Sequence, residues 1–383
     1  MELIYFVDNK MGGVTSLNYN LACYPQEDTK QIVIHIHQRE WTMTKSDIHF
    51  PVDEEHYFEF SGDQHSYQIL KELHRLVPQH EGALVLNYEN EMAMLDHYPV
   101  KQTTYQLVHD SYNVKLAIKY GHIVDVFICH NSIIFEELKK LFPQRLKDIF
   151  YLPHGVPVVE KFRKHTNEAD SVIKLLFLGR MTSGKGIYDL PVISNLLIER
   201  AVKFEWLCIG NGPELDALKN AWGEQPNVRY VSPATNKEVM DLCAEQDVFV
   251  LPTKFEGSPV SLLETMSAGL VPVITKLPGG ITDIVTSEIG FTPQMDDNVA
   301  FANAIEQLSK DRKLLKSLSI NCRNKIIDAY DVKQTAKEYH QLFQRYAEFY
   351  KHKQLLKKRV GAKLDHPLIP FTLTRFLRTL KSK

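Results

Sequence analysis

Short apolar runs alternate along the whole chain with longer segments in which apolar residues recur every three or four positions. In the first half, "QIVIHI", "GALVLN" and "IVDVFICH" are such runs, and "SYQILKELHRLV" and "SIIFEELKKLF" are such segments. The runs are typical of buried strands, and the segments are typical of amphipathic helices. Strands that alternate with helices of this length predict βαβ units and a parallel sheet.

The same alternation begins again after the polar stretch "KFRKHTNEADS", which we interpret as part of a linker over residues 161–172. At 383 residues the chain is also too long for one ordinary core. We therefore predict an α/β protein with two doubly wound Rossmann-like domains, over residues 1–160 and 173–335. Residues 336–383 are predicted to form helices followed by a basic tail.

The composition is that of a soluble globular protein, with 44% hydrophobic residues, 24% charged residues and a formal net charge of −2. A charge so close to neutral gives no reason to expect nucleic acid as a partner. No apolar run reaches the ~20 residues of a bilayer span, and the N-terminus "MELIYFVDNK" lacks the layout of a signal peptide. Five scattered cysteines without a C-x-x-C pair favour reduced thiols in a cytoplasmic protein.

Two such domains leave a cleft lined by the carboxyl ends of both sheets, which is where open α/β sheets bind ligands. The stretch "LFLGRMTSGKGI" places Gly179, Arg180, Lys185 and Gly186 between a predicted strand and the next helix. Arginine can bind two phosphate oxygens through its forked guanidinium, and lysine adds a point charge. This loop indicates a phosphate site, with a solvated basic loop as the alternative.

The stretch "FEGSPVSLLETMSAGL" predicts a second anion-binding feature. Ser258 suits an N-cap, Pro259 suits the first helical position, and Gly269 suits a left-handed C-terminal residue. The free N–H groups and dipole of a helix start favour negative charge. Glu264 would lie roughly 7–8 Å along the axis from Pro259, about the reach from a diphosphate to the ribose of one nucleotide. Glu256, taken alone, is equally well explained as a capping partner.

Four motifs together resemble one enzyme family. "FEGSPVSLLE" resembles the E-x7-E signature of retaining glycosyltransferases with the GT-B fold, of the family-four type (glycosyltransferases group 1). "FLGRMTSGKG" is similar to the G-R-x-x-x-x-K-G phosphate loop of that family, "CIGNGPEL" to its G-x-G-P turn and "PGGITDIV" to its glycine-rich loop. The likeness is dense over residues 173–350 and thinner before them. It implies two domains facing an interdomain cleft, with C-terminal helices that partly pack back on the N-terminal domain.

The resemblance implies a role for each matching residue. Arg180 and Lys185 would hold the donor diphosphate, Glu256 would contact the donor sugar, and Glu264 would bind the ribose hydroxyls. His109 would lie beside the sugar. The further donor contacts that it implies are Gly12, Gly13, Asn211, Gly212, Tyr230, Val231, Ser258, Pro259 and Val260.

Some of these roles have structural alternatives. The pair Gly12 and Gly13 could form a plain turn, and His109 could be a satisfied core histidine. Asp110 lies next to that histidine, whereas His154, in "LPHGVPV", stands where the family often has asparagine and is given no role. "FEGSPVS" also departs from the commoner Gly-Phe-Gly sequence after the first glutamate, which is expected to change which sugar fits.

The implied reaction is transfer of a sugar from a nucleotide sugar to an acceptor hydroxyl, with retention of anomeric configuration. Nothing in the sequence suggests the carboxylate pair of a double displacement. The family is usually described by a front-face path, in which the leaving diphosphate helps to take the acceptor proton. No Asp-x-Asp pair is found for a divalent metal, so we expect a metal-independent enzyme with no cofactor beyond the nucleotide sugar.

The expected acceptor is a saccharide or a lipid-linked saccharide in the synthesis of cell-surface polysaccharide, lipopolysaccharide or glycolipid. The base of the donor, the sugar and the acceptor are left open, and residues 38–60 are where we expect acceptor specificity. Two rival interpretations are a nucleotide-sugar epimerase or phosphorylase on the same fold, and an inactive partner tethered at a membrane.

The last 33 positions, 351–383, carry ten lysine and arginine residues against one aspartate. Within them, "FTLTRFLRTLK" would place an apolar stripe between basic residues if it were helical. This pattern suits an interfacial helix on the anionic cytoplasmic face of a membrane. Packing of the same stripe on the N-terminal domain is the alternative.

Overall fold

The computed structural model describes residues 1–10, 12–41, 48–160, 172–232 and 235–361, together with Asp365 and Leu373. The chain divides into two compact units. Unit 1 comprises Met1–His130, Ile134–Leu152 and Ala336–Lys383, and unit 2 comprises Asn131–Ile133 and Pro153–Thr335. The predicted linker falls outside the described residues except for its last position. The predicted cleft depends on how the units face each other and stays a prediction.

Unit 1 contains a parallel sheet in the strand order β3-β2-β1-β4-β5-β6-β7. Its strands are β1 (Glu2–Asp8), β2 (Lys30–Gln38), β3 (Glu54–Phe60), β4 (Gly82–Leu86), β5 (Thr103–Val108), β6 (Val126–Cys129) and β7 (Ile149–Tyr151). Most strand residues are buried, because helices cover both faces of such a sheet. The helices between the strands are α1 (Gly13–Ala22), α2 (Ser66–His74), α3 (Glu89–His97), α4 (Ser111–Tyr120) and α5 (Ser132–Leu141).

Unit 2 repeats this arrangement with a smaller sheet in the order β10-β9-β8-β11-β12. The strands are β8 (Ile173–Leu178), β9 (Phe204–Ile209), β10 (Val228–Val231), β11 (Val248–Leu251) and β12 (Val271–Ile274). Its helices are α6 (Asp189–Glu199), α7 (Leu215–Trp222), α8 (Asn236–Cys243), α9 (Val260–Ser267), α10 (Gly280–Ile284), α11 (Asn298–Lys310) and α12 (Arg312–Ala329). The prediction of an α/β protein with two doubly wound parallel sheets is confirmed.

In both sheets the strand order reverses next to the first strand. The reversal falls between β1 and β4 in unit 1 and between β8 and β11 in unit 2. Connections leave the sheet in opposite directions at such a switch point, and the crevice that they open is where doubly wound sheets bind ligands. The loops that follow these four strands are therefore the places to look for a site.

The described residues that follow Thr335 belong to unit 1. Helices α13 (Val332–Gln344) and α14 (Tyr346–Phe349) lead into the segment Lys351–Gly361, which has no regular secondary structure and is called the C-terminal strap below. The Lys351 and Lys353 ammonium groups form ion pairs with Asp148 and Asp125. Of the amphipathic stretch predicted at residues 371–381, all but one residue lie outside the described part of the chain. No helix of the described residues is long and apolar enough to cross a membrane.

Candidate functional site

The loops after β8 and β11 meet at the switch point of unit 2. Lys185 ends a 3₁₀ turn at Ser183–Lys185, and Glu256 follows β11. The Lys185 Nζ lies 2.5 Å from a Glu256 carboxylate oxygen. The glutamate side chain is 8% exposed and the lysine side chain 30% exposed. Two residues that were predicted from separate motifs are thus brought into direct contact.

Gly186 allows these loops to approach so closely. Its φ is +70°, and an added Cβ would lie 1.8 Å from the Pro252 carbonyl oxygen. The neighbouring Gly184 carbonyl accepts hydrogen bonds from the Lys254 N–H at 2.9 Å and from the Thr253 hydroxyl at 3.2 Å. A side chain at position 186 would therefore force the lysine loop away from the glutamate loop.

The start of α9 lies one residue later than predicted. Pro259 is the N-cap, with φ −70° and ψ 106°, and helical geometry begins at Val260. The assignment of Ser258 as N-cap is therefore wrong, because the proline backbone is still extended. Proline has no side-chain group that could cap the helix, so the first-turn amide groups of α9 lack a cap from this residue. The predicted helix end is confirmed, since Gly269 follows the last turn with φ +85°.

Glu264 lies in the second turn of α9 and is half-buried. Burial raises the pKa of its carboxyl group to about 7. Among the described residues no hydrogen-bond donor reaches this carboxyl group. A carboxylate that is desolvated without donors is stabilised by a ligand that brings hydroxyl groups.

Arg180 lies at the carboxyl end of β8, two residues after its last strand residue, and its side chain is exposed. Within the described part of the chain the guanidinium forms no hydrogen bond or ion pair. The structure thus places Arg180 on the same loop as Lys185 but does not bring it onto the Lys185–Glu256 pair.

The loop after β9 is joined to the loop after β8. The Met181 N–H donates to the Asn211 carbonyl at 3.0 Å, and the Asn211 side-chain oxygen accepts from the Gly212 N–H at 2.8 Å. A Cβ on Gly212 would lie 2.5 Å from the Met181 carbonyl oxygen, so the close contact requires glycine. Sequence reasoning missed Glu214, whose carboxylate accepts from the Ser183 N–H at 2.8 Å. The sequence could have indicated Glu214 as a loop residue of the site, because it directly follows the G-x-G-P turn.

Tyr230 and Val231 end β10 beside these loops. The Tyr230 ring packs edge-to-face on Trp222 at 6.3 Å, and the Lys219 Nζ lies 5.5 Å from the Tyr230 ring centre. The Tyr230 hydroxyl is buried, and no described residue forms a hydrogen bond with it. Burial raises the pKa of this hydroxyl. The Val231 carbonyl accepts from the Gly210 N–H at 3.1 Å, which fixes the end of the strand.

In unit 1, Gly12 is the N-cap of α1 and Gly13 is its first residue. A Cβ on Gly12 would meet no atom within 4 Å, so packing does not require glycine there. The structure does not distinguish a plain turn from a donor-binding loop here, so the donor contacts implied for Gly12 and Gly13 stay predictions.

His109 follows β5 and is 7% exposed. Its Nε2 lies 2.9 Å from the Asn87 side-chain oxygen, and its ring stacks on His130 at 4.8 Å. Burial lowers the pKa of His109 well below the usual range, and His130 lowers it further. The imidazole is therefore neutral at pH 7. Asp110 is the N-cap of α4, where its carboxylate accepts from the Tyr112 and Asn113 N–H groups, and this accounts for it structurally.

Residues 173–311 match the family model described as Glycosyl transferases group 1. Over these residues, unit 2 is similar to the group 1 glycosyltransferases. Every predicted site residue of unit 2 lies within the matched range, and the resemblance seen in the sequence is confirmed. At the switch point of unit 2, Lys185 lies beside Glu256, Arg180 is on the same loop, and the start of α9 follows, so these groups can bind a diphosphate. The Glu264 carboxyl group, which no donor of the described residues reaches, can accept from neighbouring hydroxyl groups.

Among curated relatives, the chain is 29% identical over 243 residues to a UDP-Gal:alpha-D-GlcNAc-diphosphoundecaprenol alpha-1,3-galactosyltransferase of Escherichia coli. This match covers 57% of the chain and 61% of that relative. The capsular polysaccharide biosynthesis glycosyltransferase CapM of Staphylococcus aureus is 25% identical, with 44% of each protein covered. The chain thus spans less than two thirds of the length of either relative.

Solved structures extend the likeness to both units. Anabaena Alr3699/HepE, in complex with UDP and glucose, has a TM-score of 0.68 at 14% identity, covering 90% of this chain and 99% of that one. The lipopolysaccharide outer core galactosyltransferase WaaB has a TM-score of 0.65 at 16% identity, with 90% and 100% covered. At this identity the likeness shows the fold alone. The fold is thus of the GT-B type, as the sequence predicted.

Proposed function

We propose that the chain transfers a sugar from a nucleotide-sugar donor to a hydroxyl group of a saccharide or lipid-linked acceptor. The product would belong to a cell-surface polysaccharide, lipopolysaccharide or glycolipid. The observation that carries the proposal is the contact of Lys185 with Glu256 at a switch point. Helix α9, which contains Glu264, begins directly after this loop. Curated relatives named as glycosyltransferases of lipid-linked and capsular saccharides support the reaction class.

A UDP-sugar is the donor that we propose to test first. The E. coli relative is named for UDP-Gal, and HepE was crystallised with UDP and glucose. In this proposal Arg180 and Lys185 bind the diphosphate at the start of α9, and Glu264 accepts hydrogen bonds from the ribose. The diphosphate would draw Lys185 from Glu256, which frees the glutamate for hydroxyl groups of the sugar.

Retention of configuration and independence from divalent metal are also proposed. Negative charge develops on the diphosphate as it leaves, and it would be stabilised by Lys185, Arg180 and the amide groups of α9. Such electrostatic stabilisation usually makes the largest single contribution to lowering the barrier of an enzyme reaction. A diphosphate oxygen would take the acceptor proton. His109, neutral and at the carboxyl end of β5, is proposed as a sugar contact from unit 1. Peripheral attachment to the cytoplasmic face of a membrane through residues 351–383 is likewise proposed.

A ligand panel followed by a transfer assay tests the function. Thermal unfolding is measured with UDP-, GDP- and ADP-sugars, because a ligand at about 100 times its Kd adds about 2.7 kcal/mol of stability. The donor that raises the Tm is then incubated with saccharide and lipid-diphosphate acceptors, with and without EDTA. We expect transfer that survives EDTA and a product with the anomeric configuration of the donor by NMR.

Donor alone is the control that separates this function from epimerisation, which needs no acceptor. A protein that binds no nucleotide sugar in the panel, or binds one and transfers nothing to any acceptor, contradicts the proposal.

A further inference from the structure

In unit 2 a glycine-rich loop, residues 275–279, leads from β12 into α10. Because β12 pairs with β11, this loop lies next to residues 252–259, which follow β11 and are called the Glu256 loop below. The short segment Asn131–Ile133 also belongs to unit 2, although it comes much earlier in the sequence. These three segments share a set of close contacts around the Gly257 carbonyl group.

Two glycines allow the glycine-rich loop to approach its neighbours. A Cβ on Gly280, the first residue of α10, would lie 2.2 Å from the Gly257 carbonyl oxygen. Gly279 has a φ of +90°, and a Cβ there would lie 3.3 Å from the Asn131 side-chain oxygen. The absence of side chains at both positions therefore lets the loop pack against the Glu256 loop and against Asn131.

The Asn131 side chain contacts both loops. Asn131 is 3% exposed, and its Nδ2 donates to the Gly257 carbonyl oxygen at 3.4 Å. The other end of the same amide group packs on Gly279. Gly257 directly follows Glu256, so a displacement of its carbonyl group would change the path of the backbone that carries the glutamate.

Asp283 holds the segment that carries Asn131. One oxygen of its carboxylate accepts from the Ser132 N–H at 2.8 Å, and the other accepts from the Ser132 hydroxyl at 2.7 Å. Hydrogen bonds to an ionised carboxylate are stronger than those between neutral groups, and two of them to one residue also fix its orientation. Asp283 lies in α10, so the helix that begins at the glycine-rich loop also fixes the neighbour of Asn131.

We propose that Asn131 is a positioning residue for Glu256 and that it contributes in this way to recognition of the donor sugar. Asp283 holds Ser132, and the amide group of the adjacent Asn131 holds the Glu256 loop against the glycine-rich loop. The inference rests on the proposed function, in which Glu256 binds hydroxyl groups of the sugar and Lys185 binds the diphosphate. Loss of the Asn131 amide group should therefore affect the sugar and not the nucleotide.

The first test needs no ligand. Hydrogen–deuterium exchange with mass spectrometry measures how often the backbone N–H groups of the Glu256 loop open in the free protein. We expect Asn131→Ala to speed exchange there by about tenfold, because the loop loses a contact that holds it closed. Ser132→Ala removes one hydrogen bond to Asp283 and should act in the same direction, whereas Ser132→Thr keeps the hydroxyl group and should exchange like the wild type.

The matched control is Asn321→Ala. The Asn321 side chain donates to the Glu288 carbonyl at 2.8 Å, so this variant loses the same kind of hydrogen bond elsewhere in unit 2 and should leave the Glu256 loop unchanged. Slow exchange in β9 shows that a variant is folded. Wild-type exchange of the Glu256 loop in Asn131→Ala overturns the inference. If that variant does not fold, wild-type exchange in Ser132→Ala overturns it.

The second test separates the sugar from the nucleotide. Isothermal titration gives the Kd of the nucleotide sugar that the ligand panel selects and the Kd of the corresponding nucleoside diphosphate. Asn131→Ala should weaken binding of the nucleotide sugar by about fivefold, the value of one hydrogen bond, and should leave binding of the diphosphate unchanged. In the double variant with Glu256→Gln, the loss of Asn131 should have no further effect on the ratio of the two Kd values, because both residues act on one contact.

The outcomes distinguish the inference from the proposed function. If Asn131→Ala weakens both ligands equally, its role is only structural and the inference is wrong. If Glu256→Gln leaves the ratio of the two Kd values unchanged, the sugar contact of Glu256 in the proposed function is wrong, while the exchange experiment still decides whether Asn131 positions the Glu256 loop.

Discussion

At the scale of single residues, Lys185 is the side chain on which the proposed donor site depends most directly. It lies 2.5 Å from Glu256, and a diphosphate would offer it a second and more highly charged partner. The sequence motif predicted both residues, but only the strand order of unit 2 explains why they touch, since β8 and β11 are neighbours in the sheet.

We expect Lys185→Ala and Arg180→Ala each to lower kcat/KM by about 10²–10³, because each removes a cation that stabilises developing charge. Far-ultraviolet circular dichroism should show an unchanged fold. Lys203→Ala is the matched control, since Lys203 is exposed and precedes β9 at the opposite edge of the sheet. Rates near the wild type in both variants would remove the phosphate assignment.

Glu264 gives a prediction about pH. Its folded pKa of about 7 lies above the usual glutamate value, so the carboxyl group is mostly protonated at pH 6 and mostly ionised at pH 8. Hydroxyl groups of the ribose that donate hydrogen bonds favour the ionised carboxylate. The affinity for the nucleotide sugar should therefore weaken by about tenfold as the pH falls from 8 to 6. Isothermal titration with an intact nucleotide sugar measures this, because its diphosphate does not titrate in that range.

The variant Glu264→Gln should bind the same donor more weakly at pH 8 and without this pH dependence. Glu245→Gln, an exposed neighbour at the end of α8, should behave as the wild type. Unchanged donor affinity in Glu264→Gln would show that the ribose role is wrong.

The sequence could indicate Arg180, Lys185, Glu256 and Glu264 because each stands in a local motif with fixed spacing. It could not indicate the stacking of His109 on His130. These histidines follow two different strands, and their rings meet because β5 and β6 are adjacent in the sheet. Residues that act alone at a loop are visible in a sequence, whereas pairs that depend on strand order are not.

At the scale of elements, the two loops of the proposed donor site are held together by backbone contacts that need glycine. Gly186 is the clearest case. Its φ is positive, and an added Cβ would lie 1.8 Å from the Pro252 carbonyl oxygen, so both observations exclude a side chain. Gly184, two residues before it, has nothing within 4 Å of an added Cβ. The same loop therefore contains a sensitive glycine and an insensitive one.

Gly186→Ala should lower the free energy of unfolding by at least ~1–2 kcal/mol, the usual cost of a left-handed residue with a Cβ, and should weaken donor binding. Gly184→Ala is the control and should change neither quantity appreciably. Urea unfolding and donor titration measure the two effects. Equal behaviour of the two variants would mean that the loops do not need this contact.

The boundary of α9 shows the limit of sequence reasoning for elements. Serine suits an N-cap and proline suits the first helical position, so the predicted start was chemically sound. The structure begins the helix at Val260 because Pro259 has an extended ψ, which the residue type alone does not determine. The C-terminal end was predictable because Gly269 adopts a conformation that few other residues tolerate.

At the scale of the whole chain, the C-terminal strap is bound to unit 1 by ion pairs and by hydrogen bonds from its backbone. Its lysines looked like free basic charge in the sequence, but Lys353 is 6% exposed and pairs with Asp125, which is 1% exposed. Asp96 accepts from the Leu356 and Lys358 N–H groups at 3.0 and 2.7 Å. Part of the predicted basic tail therefore binds to buried aspartates of unit 1. Charge counting could not reveal this, since the aspartates come from distant parts of the chain.

Two truncations separate the strap from the residues that follow it. A chain ending at Gly361 loses the hydrogen bond from the Ser66 hydroxyl to Asp365 and should be destabilised by only ~1 kcal/mol. A chain ending at Tyr350 also removes the Lys353 ammonium from the buried Asp125 carboxylate and two N–H donors from Asp96, which should cost ~3–5 kcal/mol. Urea unfolding measures both values, and similar values for the two chains would show that the strap adds no stability. If residues 362–383 bind anionic lipid, the chain ending at Gly361 should no longer sediment with phosphatidylglycerol vesicles at low salt, while the full chain should.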